Sequence, residues 1–405
     1  MKSAVRQLAV VSVLLSVAAL ATAQETREQQ EPGDNARFRW GPLRFTPSIV
    51  LSNLGVDRNV FNESTDPRRD TTAAVGPAVN FWLRPGRARL SGTASGQYAY
   101  FKTYENQRGW DTRDELKFEL PLSRLKPFAI GNYLNTHDRP GFEIDSRSRA
   151  AINRVTLGTA LKVSSKTILV FSGARTITAF DQEATFLGAT LAQALNRRSD
   201  LEQLQLRYEL TPLTTLVVNA DAIQDRFEFA KYRNADSIRI MPGFEFKPFA
   251  LISGSVAVGV RHFNGLSEAL PDYNGVVASV NAKYVMTATQ IHLKVDRDLN
   301  FSYLDATPYY AATSVGLDVT ERITRTWDVL AQGVWQSLAY RQLKPLPAVA
   351  GADTGHGFGL GVGYRLNETI RLGLDAIYST RQSAESARDY NGLRVGASVS
   401  YGITQ

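Results

Sequence analysis

The sequence has no cysteine and, after its first 23 residues, no long apolar run. The missing cysteine excludes disulfides, thiolate chemistry and a lipid-modified N-terminal cysteine. A helical inner-membrane protein is excluded because no later stretch approaches the ~20 consecutive apolar residues of a spanning helix. The formal charge is +7, yet no basic cluster interleaved with aromatic residues indicates a nucleic-acid partner.

Motifs that carry chemistry are also scarce. None of the four histidines shows H-E-x-x-H or another metal-ligand spacing, so neither a metal nor a cofactor is expected. His292 shares a strand face with Lys294 and Asp296, which also suits one polar group among many in a polar channel. No residue stands out as a nucleophile, although barrel-wall hydrolases keep an enzyme among the alternatives.

The N-terminal residues predict export. A basic start, an apolar run over 8–20 and the small-x-small site Ala21-Thr22-Ala23 indicate a cleavable signal peptide over 1–23. Residues 24–44 are polar around a Pro-Gly pair, and we expect a flexible periplasmic tail there. The remaining residues, 45–405, are predicted to form one domain.

From residue 45 onward, apolar and polar side chains alternate in runs of ten or so residues, the period of a β-strand. In residues 201–210, for example, Gln203 and Arg207 alternate with Leu204 and Leu206. A soluble sandwich would bury the apolar face, whereas a transmembrane barrel turns it to lipid and lines its lumen with the polar face. One run alone fits either fold.

The connections between the runs favour the barrel, because short and long ones take turns as they do in a β-meander that crosses a membrane. The short connections are 84–87, 123–127, 164–166, 211–214, 247–249, 320–325 and 367–369. The long, polar ones are 57–70, 105–115, 137–149, 181–198, 264–274, 341–355 and 382–391. The sequence therefore predicts an all-β, transmembrane, antiparallel up-and-down barrel of about eighteen strands, with sixteen as the alternative.

The same alternation predicts which charged side chains line the lumen. The set is mixed with a slight basic excess, so we expect an open pore to pass anions modestly better than cations. Its members are Arg207, Glu209, Asp221, Arg239, Glu245, Arg261, Lys283, His292, Lys294, Asp296, Asp298, Arg371, Asp375 and Arg394.

One long connection departs from the β pattern. In residues 180–198 apolar side chains recur at helical spacing, which predicts a short helix over 184–195. Such a helix would either fold into the lumen as a constriction or cover the rim.

The stretch "GVDRNVFNE" (55–63) ends the first predicted strand. Asp57 and Asn59 suit a capped turn, and Val60 and Phe61 can pack it at the barrel rim. A first strand that closes in D-x-N-V-F, after a signal and a polar tail and before a long β-meander, resembles the putative β-barrel porin-2 family of Gram-negative outer membranes. One departure is the end, "VSYGITQ", which lacks a terminal aromatic residue for the assembly machinery; Tyr401 is the candidate substitute.

The resemblance implies a non-enzymatic outer-membrane pore for passive solute diffusion or for export of exopolysaccharide or capsular polysaccharide. Implied partners are outer-membrane lipid, the assembly machinery, periplasmic polysaccharide-export components and anionic polysaccharide. The alternatives are an outer-membrane lipid or peptide hydrolase and a secreted β-rich adhesin or binding module.

Overall fold

The computed structural model describes residues 32–247, 251–346, 352–383 and 388–402. The predicted signal peptide (1–23) and the start of the predicted tail (24–31) lie outside these ranges. In the part of the chain that is described, no helix is long and apolar enough to cross a membrane. Nearly all of it belongs to one antiparallel sheet.

Within these residues, eighteen long strands follow one another around the sheet, each hydrogen-bonded to the next. They are β1 Leu43–Asp57, β2 Asp70–Leu83, β3 Arg89–Phe101, β4 Gly109–Glu119, β5 Leu125–Thr136, β6 Ala150–Lys162, β7 Thr167–Phe180, β8 Arg197–Thr211, β9 Thr214–Phe227, β10 Ala235–Phe246, β11 Ile252–Gly265, β12 Tyr273–Met286, β13 Thr289–Phe301, β14 Tyr309–Arg322, β15 Trp327–Arg341, β16 Asp353–Arg365, β17 Ile370–Gln382 and β18 Tyr390–Tyr401. β1 also pairs with β18, with Ile49 opposite Tyr401, so the sheet closes on itself. The predicted antiparallel barrel of eighteen strands is confirmed.

The two faces of each strand differ in burial, as β8 illustrates. Leu204 and Leu206 are 44% and 38% exposed, whereas Gln205 and Arg207 are 3% and 7% exposed. Because one face of a closed barrel is its interior, the polar side chains point inward and the apolar ones cover the outside. A wide apolar outer surface is unfavourable in water and suits a lipid bilayer.

The connections differ in length between the two ends of the barrel. At one end, which we call the turn end, strands are joined by short turns such as 212–213 and 287–288. The opposite end, the loop end, carries longer connections such as 137–149 and 181–196. This asymmetry is the one predicted for a membrane-crossing meander.

Some predicted connections need correction. The predicted loop 105–115 overlaps β4, which begins at Gly109. Its charges misled the prediction because Arg113 and Glu115 lie on the strand face opposite Trp110, which is 53% exposed. The loop-end connections 228–234 and 302–308 contain aromatic residues, so the sequence pattern does not set them apart from strands.

The region before the barrel also differs from the predicted flexible tail. Pro32–Asn35 form a 3-10 turn, and Phe38–Trp40 form a short strand that pairs with the start of β1, Phe38 lying opposite Phe45. β18 pairs with β1 only from Ile49 onward, so this strand satisfies the edge of β1 that β18 leaves open. The barrel therefore begins at Leu43 rather than at residue 45.

Buried apolar side chains gather at the loop end. One cluster joins Ile144, Leu191 and Tyr303, which belong to three different connections. A second joins Phe263 and Tyr309 with residues of the nearby strand ends. The loop end is thus packed like a small protein core, although the middle of the barrel interior is polar.

Candidate functional site

Several of the predicted lumen charges form a continuous chain of ion pairs on β9–β13. The Arg239 guanidinium lies between Asp221 and Asp298, with nitrogen–oxygen distances of 2.7 and 2.6 Å. Arg261 contacts Asp298 at 2.8 Å and reaches Asp225 at 3.9 Å. Each charge in this chain has an opposite charge beside it, so the chain fixes the side chains against the wall and cancels most of their field.

The interior of β8 and its neighbours is paired in the same way. The two terminal nitrogens of Arg207 donate to the two carboxylate oxygens of Glu245, at 2.8 and 2.5 Å. This bidentate geometry is the strongest form of a carboxylate–guanidinium pair. Glu209 has a weaker partner, since its carboxylate is 3.8 Å from Lys247.

His292 lies in a polar row on β13. Its Nε2 is 2.6 Å from Asn281 Oδ1, and its Nδ1 is 3.8 Å from Asp318. Asp318 also accepts a hydrogen bond from Lys294 Nζ at 3.3 Å. None of these partners is a serine, threonine or cysteine, and in the described ranges no group of three His, Asp or Glu side chains is arranged to hold a metal ion.

The other predicted charges are less completely paired. Arg371 donates to Asp328 at 2.5 Å. No ion pair with a nitrogen–oxygen distance under 4 Å joins another described residue to Lys283, Asp296 or Asp375. The Nε atom of Arg394 also finds no hydrogen-bond partner among the described residues. Asp225 and Asp328, which the sequence reasoning missed, reduce the predicted basic excess.

Three connections, 137–149, 181–196 and 302–308, pack together at the loop end, and we call them the mouth cluster. Tyr303 is 2% exposed and packs on Leu191, which is fully buried, and on Ile144. The sequence analysis did not predict that these three connections contact one another.

Contacts within the mouth cluster cross the barrel opening. Ser302 Oγ donates to Glu143 Oε1 at 2.5 Å. Glu143 lies between β5 and β6 and Ser302 between β13 and β14, eight strands apart in a barrel of eighteen. Because such positions face each other nearly across the diameter, the two loops meet over the opening.

The connection 302–308 is anchored by one buried arginine. The Arg233 side chain is fully buried, donates to the carbonyl oxygens of Ser302 and Leu304, and pairs with Asp305 at 3.0 Å. β13 stays paired with β14 up to Phe301 opposite Tyr309, so the connection 302–308 leaves directly from the end of this strand pair.

Glu143 is buried on the opposite side of the same contact. Burial raises the pKa of Glu143 to about 7, although Ser302, Arg388 and Arg381 favour its charged form. Arg381 Nη1 also donates to the carbonyl oxygens of Phe142 and Glu143, at 2.9 and 3.1 Å.

Arg381 ties the mouth cluster to the barrel wall. It pairs with Asp145 at 3.1 Å and with Asp353 at 2.6 Å. Arg388 pairs with Asp353 at 3.1 Å and donates to the Tyr340 hydroxyl at 2.7 Å. One local pattern could have predicted burial in this loop: Phe142 and Ile144 flank Glu143 within a loop that is otherwise charged.

The predicted helix over 184–195 is shorter than expected. Thr185–Phe186 and Ala189–Thr190 form a small hairpin, and the helix α1 covers only Leu191–Leu195. The reason is the turn at Leu187-Gly188, where both residues have positive φ (46° and 82°) and break the helix. α1 packs against the other loops of the mouth cluster.

The D-x-N-V-F motif closes the seam of the barrel. The backbone N–H of Asn59 donates to Asp57 Oδ1 at 2.9 Å, and its side-chain amide donates to the carbonyl oxygens of Glu63 and Asn391, at 2.8 and 2.9 Å. Val60 is 3% exposed, and Phe61 packs beside it. Because Asn391 belongs to β18, the motif joins the first strand to the last.

One comparison with known proteins identifies the family of the chain. A family model described as Putative beta-barrel porin 2 matches residues 31–402. Among solved structures, a BenF-like porin from Pseudomonas fluorescens Pf-5 is similar at 11% identity and a TM-score of 0.49, covering 89% of this chain and 99% of its own. Pseudomonas aeruginosa OccK2 (OpdF), solved with glucuronate, is similar at 10% identity and a TM-score of 0.49, covering 89% and 98%. No curated protein matches the chain.

Proposed function

Because the chain belongs to the family described as Putative beta-barrel porin 2, we propose that this outer-membrane barrel conducts only small hydrophilic solutes and that the mouth cluster sets the size limit. The turn end faces the periplasm and the loop end the exterior, as in other outer-membrane barrels. The polar interior supports passage of hydrophilic solutes, since its wall offers hydrogen-bonding groups throughout.

The observation that supports a size limit is the Ser302–Glu143 hydrogen bond across the opening. A solute that passes the loop end has to move around this bridge or displace it. The buried Arg233 and Arg381 side chains hold the two loops that form the bridge. The mouth cluster therefore restricts the path, although the wall itself encloses a wide barrel.

Export of exopolysaccharide or capsular polysaccharide, with periplasmic export components as partners, stays a prediction from the family resemblance. A polymer that crosses the barrel would require the mouth cluster to undock. The expected cargo in that case is an anionic polysaccharide.

The test is liposome swelling with the purified protein and neutral sugars of increasing size. We expect swelling with monosaccharides and a steep loss of rate with tetrasaccharides. Liposomes without protein provide the control. Equal rates for both sugars would contradict a size limit at the mouth, and no swelling with any sugar would contradict the diffusion pore itself.

We also propose that the protein is not an enzyme. The partners of His292 support this, since Asn281, Lys294 and Asp318 include no hydroxyl or thiol that the imidazole could activate. Replacing His292 with Ala should leave assembly and swelling rates unchanged. Lipid or peptide hydrolysis that is present in the wild type and lost in this variant would favour the enzyme alternative.

A further inference from the structure

The interior at the turn end of β12–β17 carries an excess of positive charge. Five inward-pointing basic side chains lie within the six residues nearest the turn end of their strands, against three inward acids. The basic residues are Lys283, Lys294, Arg322, Arg365 and Arg371, and the acids are Asp318, Asp328 and Asp375. This excess contrasts with β9–β13 nearer the loop end, where arginines and aspartates alternate in one paired chain.

Asp328 positions two of these arginines. Its side chain is 2% exposed, and it accepts hydrogen bonds from Arg371 and Arg365 at 2.5 and 3.1 Å. Arg371 reaches it by lying across Gly363, where a Cβ atom would overlap the guanidinium. A single buried carboxylate thus holds two guanidinium groups side by side on the interior wall.

Arg322 adds a third guanidinium that has no acid of its own. It lies directly opposite Asp328 in the pairing of β14 with β15, yet it makes no ion pair with any residue that the structure describes. Arg365 lies on β16 two residues beyond Gly363, which pairs with Asp328 on its other side, so Arg322 and Arg365 flank the same carboxylate as like charges. Three guanidinium groups therefore share the Asp328 carboxylate. Asp375, the next inward acid on β17, leaves a net charge of about +1 at this place.

An oxyanion is the ligand that this arrangement suits. Guanidinium groups bind carboxylate and phosphate through paired N–H donors, and an anion between Arg322 and Arg365 would relieve their repulsion. We propose that Arg322, Arg365 and Arg371 form a binding site for the carboxylate or phosphate group of solutes at the periplasmic entrance of the barrel. This inference rests on the proposed pore for its role in transport, although anion binding itself does not require conduction.

Binding is tested with inorganic phosphate as the probe. The full-length protein in a phosphate-free detergent is titrated while the linewidth of the phosphorus NMR signal is followed. The key variant is Arg322→Gln, because Arg322 has no ion pair whose loss would disturb the fold. Arg394→Gln is the matched control, since it removes an inward arginine near the loop end of β18.

We expect phosphate to broaden with the wild type and with Arg394→Gln, and the broadening to fall severalfold with Arg322→Gln. Equal broadening with Arg322→Gln and the wild type, or none with any protein, would overturn the site. Reversal potentials in planar bilayers then test its role in transport: the anion-over-cation permeability ratio should fall about twofold in Arg322→Gln and by clearly less in the control, whose single arginine lies apart from the cluster. A wild type that binds phosphate but carries no current would contradict the pore and leave the binding site supported.

Discussion

Replacing Arg233 with Ala should undock the connection 302–308 and widen the pore. The Arg233 side chain is fully buried and donates to the carbonyl oxygens of Ser302 and Leu304. It also pairs with Asp305 and donates to the Tyr232 hydroxyl at 2.9 Å. Arg233 therefore holds three groups of this loop: two carbonyl oxygens and one carboxylate.

The size of the effect follows from the acceptors that lose their donor. A buried acceptor left without a hydrogen bond costs about 1–3 kcal/mol, and two carbonyl oxygens are affected, so the docked loop should lose at least about 2 kcal/mol. This loss raises the undocked population by a factor of about thirty, since each 1.4 kcal/mol is a factor of ten. The barrel should survive, because the strand ladders around it are unchanged.

Single-channel recording in planar bilayers measures the result. The variant should show a larger mean conductance with more open-state noise, and limited proteolysis should cut within 302–308. Lys231→Ala is the matched control, since Lys231 is exposed in the same 3-10 turn. An Arg233→Ala protein with the heat-modifiable gel shift of a folded barrel but wild-type conductance would refute the idea that this loop restricts the pore.

Three further predictions test the loop contact, the wall and the seam. The pKa of Glu143 is raised from its usual 4.5 to about 7 in the docked loop, so only the docked state binds a proton between these values: docking should weaken as pH rises from 4.5 to 7 and level off above 7, and the pH dependence of conductance should vanish in Glu143→Gln. Leu206→Arg should impair assembly, because a charge on the lipid face near mid-bilayer costs about 2–4 kcal/mol, whereas Gln203→Arg beside Asp221 should assemble normally; equal heat-modifiability of the two would contradict the facing. Asn59→Ala should lower the unfolding temperature of the barrel by freeing β18 from the end of β1, and an unchanged temperature would show that the motif has no role in closing the seam.

The strands could be predicted from the sequence because their pattern is local. In β8 each residue's face follows from its neighbours two positions away, and the exposures of Leu206 and Gln205 agree with that alternation. The predictions were weaker where local composition misleads. The charged start of β4 was predicted to be a loop because charged side chains are uncommon in the strands of soluble proteins. They are common on strands that line a polar barrel interior.

The mouth cluster could not be predicted because its contacts join residues far apart in the chain. Ser302 and Glu143 are separated by 159 positions, and Arg381 lies 238 positions from the Glu143 carbonyl that it binds. Nothing local distinguishes the buried Arg233 from the exposed Lys231 two positions before it. The helix prediction failed for a local reason instead, since the positive φ of Leu187 and Gly188 stops a helix that the apolar spacing otherwise favours.

We expect solute size and ion charge to be selected at opposite ends of the barrel, which a count of inward charges alone does not reveal. Arg207, Arg239 and Arg261 are each paired with a carboxylate and contribute little to the net field, so the predicted anion preference depends on the unbalanced arginines at the turn end. Solute size is limited at the opposite end, by the mouth cluster. Undocking the cluster through Arg233→Ala should therefore raise conductance while the anion-over-cation permeability ratio stays close to that of the wild type. If both change together, a single constriction controls size and charge, and the assignment of charge selection to the turn end is wrong.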